Sequence, residues 1–162
     1  MAMDTENQRA ILGLYWSERP ETLESATELC VSAFDALADA GFTRFYEKGK
    51  SRKDALRRPF VPTRETLAAL LARGRNRRDT DHAVIEDLGF RLALWSGDAE
   101  GEAYQVSVHV GVSCPFVSNS FVLNLPRTGP LALAVHEKEL RALLSQLETI
   151  FRPEKSVLES RS

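Results

Sequence analysis

Hydrophobic and polar positions along this 162-residue chain change their period several times, and each change marks an element. Residues 10–16 are apolar almost throughout, the pattern of a strand buried on both faces. Pro20 then stands where a first helical position would, with Glu21 and Glu24 favouring a helix N-terminus. Leu23, Thr27, Cys30, Phe34 and Leu37 recur at three- and four-residue spacing and predict an amphipathic helix with Gly41 just past its end. Residues 42–48 alternate aromatic and polar side chains, which predicts a short extended segment. Pro59 and Pro62 argue against regular structure between 49 and 62. Thr63 is the expected N-cap of a second helix with Leu67, Leu70 and Leu71 inward and Gly74 at its end. Residues 75–82 read as a polar loop.

Three strand patterns follow. Phe90, Leu92 and Leu94 recur at period two within 88–96, and residues 96–101 carry turn chemistry. In 103–112, Tyr104, Val106, Val108, Val110 and Val112 share one face, opposite Gln105, Ser107, His109 and Gly111. After a loop at 114–118, Phe121, Leu123 and Leu125 mark a third strand that stops at Pro126. A final helix is expected over 136–151, with Leu140, Leu143, Leu144, Leu147 and Ile150 as its stripe. Beyond Pro153 the tail is polar and suits an extended chain. This order predicts an α+β fold: a mainly antiparallel sheet, made of the N-terminal strand and the three-strand meander, with helices packed on one face. The polar row on the meander predicts that the other face is open. A single domain is expected, its ordered core at about 10–152.

Composition narrows the class without naming a function. Hydrophobic residues are 43% and charged residues 27% of the chain, ordinary for a globular protein. No apolar run approaches the ~20 residues of a membrane span. Cys30 and Cys114 form no C-x-x-C pair, which suits reduced thiols and a cytoplasmic location. The net charge of −2 conceals an asymmetry. Residues 44–78 carry twelve basic side chains against Glu47, Asp54 and Glu65, while the segments on either side are acidic. One reading of that basic run, with Phe45, Tyr46 and Phe60 interleaved, is a small nucleic-acid-binding module. No helix-turn-helix, OB or RRM signature accompanies it, so the run is expected to pair with acidic faces of the same domain or to remain solvated.

No constellation for catalysis emerges, and the chain is expected not to be an enzyme. Phosphate-loop, dinucleotide and nucleophile-elbow motifs are missing from the sequence. His136 and Glu137 begin like a zinc-protease motif, but no histidine follows four residues on. Ser107 and His109 share a strand face, yet side chains two apart on a strand lie ~7 Å apart, beyond hydrogen-bond reach. His82 beside Asp81 reads as a solvated pair, and Cys30 as a small core residue. No cofactor or metal is expected.

Two aromatic pairs invite a different reading. Tyr15-Trp16 precedes Ser17-Glu18-Arg19-Pro20-Glu21, and Phe45-Tyr46 precedes Glu47. Strand neighbours face opposite ways, so only one of each pair can lie fully in the core. Trp, Tyr and Arg at element ends are the residue types that anchor protein interfaces.

These segments also carry a resemblance. Tyr15-Trp16 with Arg19-Pro20-Glu21, Tyr46-Glu47-Lys48-Gly49 with Ser51-Arg52, and Gly74-Arg75-Asn76-Arg77-Arg78-Asp79 are similar to the immunity protein 52 family. So are Leu88-Gly89-Phe90 with Leu94-Trp95-Ser96-Gly97, the run from Asn119 to Pro126, and Phe151-Arg152-Pro153-Glu154. The resemblance implies a bacterial immunity protein that binds and neutralises a cognate toxin of a polymorphic or type VI secretion system. It implies a nuclease toxin of restriction-endonuclease-like fold. Trp16, Arg19, Glu21, Tyr46 and Glu47 are the residues expected to meet that toxin, by steric or charge complementarity. Glu18, Glu21, Glu24 and Glu28, or Asp98, Glu100 and Glu102, could supply acid opposite a basic cleft.

Overall fold

In the computed structural model, residues 9–47, 51–75 and 77–161 are described. Five antiparallel strands form one sheet in the order β2-β3-β4-β1-β5. They are β1 (Arg9–Trp16), β2 (Phe90–Trp95), β3 (Gln105–Val110), β4 (Asn119–Leu125) and β5 (Lys155–Arg161). Among the described residues four α-helices accompany them: α1 (Leu23–Asp39), α2 (Arg52–Ala55), α3 (Arg64–Arg73) and α4 (Leu133–Phe151). The α+β class, the antiparallel sheet and the packing of helices against it are as the sequence predicts.

β1 is the hinge of the topology, with β4 on one side and β5 on the other. Its even-numbered residues Leu12, Leu14 and Trp16 enter the core. The odd-numbered ones face outward in register with Ser120, Val122 and Asn124 of β4. The unbroken apolar run therefore comes from a central position in the sheet, with no second helical layer over it. On the outer face the Tyr15 ring leans back over Gly13, where a Cβ would collide with the phenol. Gly13 is thereby covered, and it and Ile11 are buried although they face outward. One member of each aromatic pair is inside: Trp16 is 3% exposed and Phe45 4%, while Tyr15 and Tyr46 are half-buried.

Two helix boundaries differ from expectation. Pro20 is not the first residue of α1; Thr22 is its N-cap, with the Ser25 N–H donating to Thr22 Oγ1 at 3.0 Å. The Ser25 hydroxyl accepts from the Thr22 N–H at 2.8 Å, so the two side chains cap each other's backbone. α1 ends as expected on Gly41 (φ +99°), with the Phe42 N–H reaching the Leu37 carbonyl at 2.9 Å. α4 begins three residues earlier than its stripe suggests. His136 has non-helical dihedrals there, and its Nε2 bonds the Ala40 carbonyl at 2.7 Å, tying the start of α4 to the end of α1.

The segment between the prolines and Gly49 is not without structure, contrary to expectation. Ser51 caps α2 by accepting from the Asp54 N–H at 3.1 Å. Neither Pro59 nor Pro62 lies inside that single turn, so neither breaks it. Downstream, Thr63 caps α3 as predicted, and Gly74 ends it. A Cβ at Gly74 would overlap the Arg91 carbonyl, which is how α3 closes onto the edge of β2. The tail supplies the largest addition. It is extended, as its composition suits, but it is also a full strand of the sheet and extends the ordered chain past residue 152.

The core runs between the sheet's inner face and α1, α3 and α4. Phe42, Phe45 and Tyr104 interlock edge to face at one end, with centroids 4.9 and 5.9 Å from Tyr104. Cys30 is fully buried in this core. Burial raises its thiol pKa from an ordinary 9.0 to about 12. A thiol reagent at mildly alkaline pH is therefore expected to label Cys114 alone in the native protein and both cysteines after unfolding, a count that mass spectrometry reads. Folded chains hold a proton that unfolded chains release above pH 9.0, so stability should fall as pH rises from there toward about 12. Cys30→Ala should weaken that alkaline loss in melts across the same range.

Candidate functional site

At one end of the sheet, the C-terminal end of β1, four loops converge: residues 17–22, 84–89, 111–118 and 152–154. Backbone bonds knit them together. The Arg19 N–H donates to the Val112 carbonyl at 2.9 Å, the Ser113 N–H to the Asp87 carbonyl at 3.0 Å, and the Glu154 N–H to the Tyr15 carbonyl at 2.9 Å. Asn119, fully buried, accepts from the Val112 N–H at 2.8 Å and donates to the carbonyls of Ser17 (2.9 Å) and Val112 (3.3 Å). A buried amide with its hydrogen-bonding capacity used this way fixes loop geometry. Gly111 (φ +79°) lets the backbone turn against Glu21, a conformation that a side chain at 111 would strain.

Trp16 does not reach the surface of this end. Its indole stacks on Phe151, with centroids 5.2 Å apart, and Phe151 in turn packs against Phe121 at 5.4 Å. The Arg19 guanidinium lies 5.6 Å from the Trp16 ring centroid. It donates to the carbonyls of Phe151 and, at 2.9 Å, Arg152. α4 has no basic residue in its own last turn, so Arg19 supplies from another element the cation that a helix C-terminus favours. Arg152, at φ +48°, then turns the chain into β5. Glu154 completes the corner by accepting from the Ser17 N–H at 3.2 Å and from its hydroxyl. These bonds hold the Glu154 carboxyl below its ordinary pKa.

Glu21 lies half-buried at the same end, in the mouth of a groove of about 580 Å³ between α1 and α4. Glu24 and Glu28 also line the groove, with Arg152 at its rim. Between Leu23 and Asp39, α1 carries Glu24, Glu28, Asp35 and Asp39 and no Lys or Arg. Arg64 engages Glu28 at 2.6 and 2.9 Å, and that pairing lowers the Glu28 pKa.

Tyr46 and Glu47 are at the other end. Tyr46 pairs through its backbone with Trp95, the last residue of β2, and its ring packs over Gly97. Glu47 forms an ion pair with Arg73 at 3.2 Å. Trp95 shares a row with Gln105, Asn124 and Ile11, five residues from Trp16 along β1. With ~3.4 Å per residue and ~4.8 Å per strand, the two sets of residues lie on the order of 25 Å apart. The structure does not bring them together.

Other arginines of the basic segment pair with acids of the same domain, most of them at the solvent-exposed surface. Arg44 pairs with Asp98, Arg58 with Asp54, Arg75 with Glu86 and Arg78 with Asp81. Arg75 also lies 4.5 Å from the Phe90 ring. Lys48, Lys50 and Asn76 are outside the described residues.

Ser107 and His109 line a trough of about 590 Å³ on the open face, with Arg73 and Arg91 at its side. His109 Nε2 bonds the Leu88 carbonyl at 2.7 Å, which orients the ring toward the 84–89 segment. Arg91 Nε donates to the Gly74 carbonyl. Among the described residues there is no group of three or more His, Cys, Asp or Glu side chains able to hold a metal. Nor is any helix there long and apolar enough to cross a membrane.

No curated protein matches the chain. The family model for immunity protein 52 matches residues 10–162, from the second residue of β1 through the whole of β5. The match takes in the Arg19–Trp16–Phe151 corner and the clamped loops beside it. The chain belongs to the immunity protein 52 family, whose function is immunity against a toxin.

Proposed function

We propose that this protein acts in the bacterial cytoplasm, without catalysis, by binding a nuclease toxin delivered by a polymorphic or type VI secretion system. The observation that carries this reading is the acidic surface running from Glu18 and Glu21 along α1. A nuclease binds a polyanion through a basic cleft, and a helix bearing four acids and no base is complementary to such a cleft. Among the described residues of the basic segment, six arginines are engaged by carboxylates of the same domain, which reduces the charge they present. That pairing weighs against a nucleic-acid-binding module. Of the residues the sequence singles out, Arg19 and Glu21 belong to the proposed toxin-facing end. Trp16 holds Arg19 in place from beneath. Tyr46 and Glu47, at the far end, brace the edge of β2.

The test uses the toxin domain encoded beside this gene, in a catalytically inactive form. Reversing Glu18, Glu21 and Glu24 to Lys should slow its association about tenfold or more at low ionic strength, with the difference shrinking above ~0.5 M salt as screening takes over. Stopped-flow or interferometry reads both. Equal association rates at low salt would reject the acidic surface. Absence of nuclease activity from the active form of that domain would reject the nuclease assignment.

A further inference from the structure

Phe116 is 91% exposed, the most exposed large apolar side chain among the described residues. A lone surface phenylalanine is unremarkable. What distinguishes this one is the scaffold beneath it. The loop between β3 and β4 is clamped at its base by Asn119, crossed by the Arg19–Val112 bond and tied to the 84–89 segment by the Ser113–Asp87 bond. The Val117 N–H reaches the Cys114 carbonyl at 3.4 Å, closing a turn with Pro115 and Phe116 at its tip. Pro115 removes further backbone freedom. A large apolar side chain is thus held out in water by a loop whose conformation is already fixed.

We propose that Phe116 is the anchor by which this protein docks to its toxin, entering an apolar pocket whose rim is basic. This rests on the toxin-binding reading above and names the contact within it. Two observations argue for that partner chemistry. Holding the loop in one conformation removes most of the ordering cost of binding, so burial of the ring is available to affinity. The acidic residues in contact with the loop's base are Glu21, packed against Gly111, and Asp87, which accepts from Ser113, and the Arg19 guanidinium is turned away onto the carbonyls of Phe151 and Arg152. The anchor is therefore flanked by negative charge, which fits a pocket edged with Lys or Arg. An aromatic centre surrounded by a polar rim is the usual anatomy of a tight interface.

The test again uses the inactive toxin domain encoded beside this gene. Phe116→Ser should weaken binding by about thirtyfold or more, mainly through faster dissociation. Phe116→Leu should recover part of the loss. Val135→Ser, which removes another exposed apolar side chain at the opposite end of the molecule, should bind like wild type. Thermal melts should be unchanged for all three variants. If wild type binds and Phe116→Ser binds within about threefold of it, the anchor is wrong and the toxin-binding reading stands. If wild type itself does not bind, the reading fails first. A concentration-dependent dimer of wild type that Phe116→Ser abolishes would assign the ring to self-association and overturn the proposal.

Discussion

Trp16→Ala is expected to lower stability by about 3–5 kcal/mol, the range for truncating a fully packed aromatic. The indole is 3% exposed and stacked on Phe151, so its loss opens a cavity and removes a ring–ring contact. It also removes the surface beneath the Arg19 guanidinium. Arg19→Ala should cost less, about 1.5–3 kcal/mol, through the carbonyl bonds at the end of α4. The double variant should lose less than the two separate losses combined, because the cation over the ring is a shared interaction. Urea titrations on the four proteins measure this directly. Toxin affinity per folded molecule of Trp16→Ala should stay near wild type if the indole acts only from beneath. A folded Trp16→Ala protein with fully preserved stability would contradict the packing described here.

Ending the chain after Glu154 is expected to abolish the cooperative thermal transition or to yield insoluble protein. β1 would become an edge, with the N–H and C=O groups that pair from Arg9 to Tyr15 left facing solvent. A hydrophobic central strand exposed along its edge is a template for association between chains. Leu158, packed against the core opposite Leu12, would be lost too. Calorimetry and light scattering on the truncated chain check this. A melting temperature within about 5 °C of the full chain would show that β5 is an ornament of the sheet.

The contrast between β5 and the meander explains what was legible in the sequence. Each meander strand alternates large apolar residues over its length, because its inner face meets the helices. β5 has one such residue facing inward, Leu158, between Ser156 and Ser160. An edge strand needs little apolar surface when its backbone pairs with a central strand, so periodicity passes over it. α2 escaped for a related reason: a four-residue turn capped by Ser51 has no room for a stripe. At α1, Pro20 and the early glutamates mimic a helix start, while the reciprocal Thr22–Ser25 cap two residues later is the actual one. For the candidate site, the sequence places Trp16 at the end of β1 with Arg19 and Glu21 just beyond it, but whether an aromatic points in or out depends on strand neighbours that pattern alone leaves open. Phe116 gives no periodic signal, because a loop tip has no period. Asn119 stood within the run that carries the family resemblance, and that run was the available signal for the clamp.

The pairing of β1 with β5 has a consequence during synthesis. Arg9 meets Arg161, about 150 residues further along the chain. At ~5–20 residues per second, β1 is made roughly 8–30 s before its partner strand exists. Through that interval the most apolar strand of the sheet lacks one neighbour, and the Arg19 latch lacks the carbonyls it closes on. The edge of β1 and the Arg19 corner therefore close only after β5 has been made, which puts the last step of folding late in synthesis.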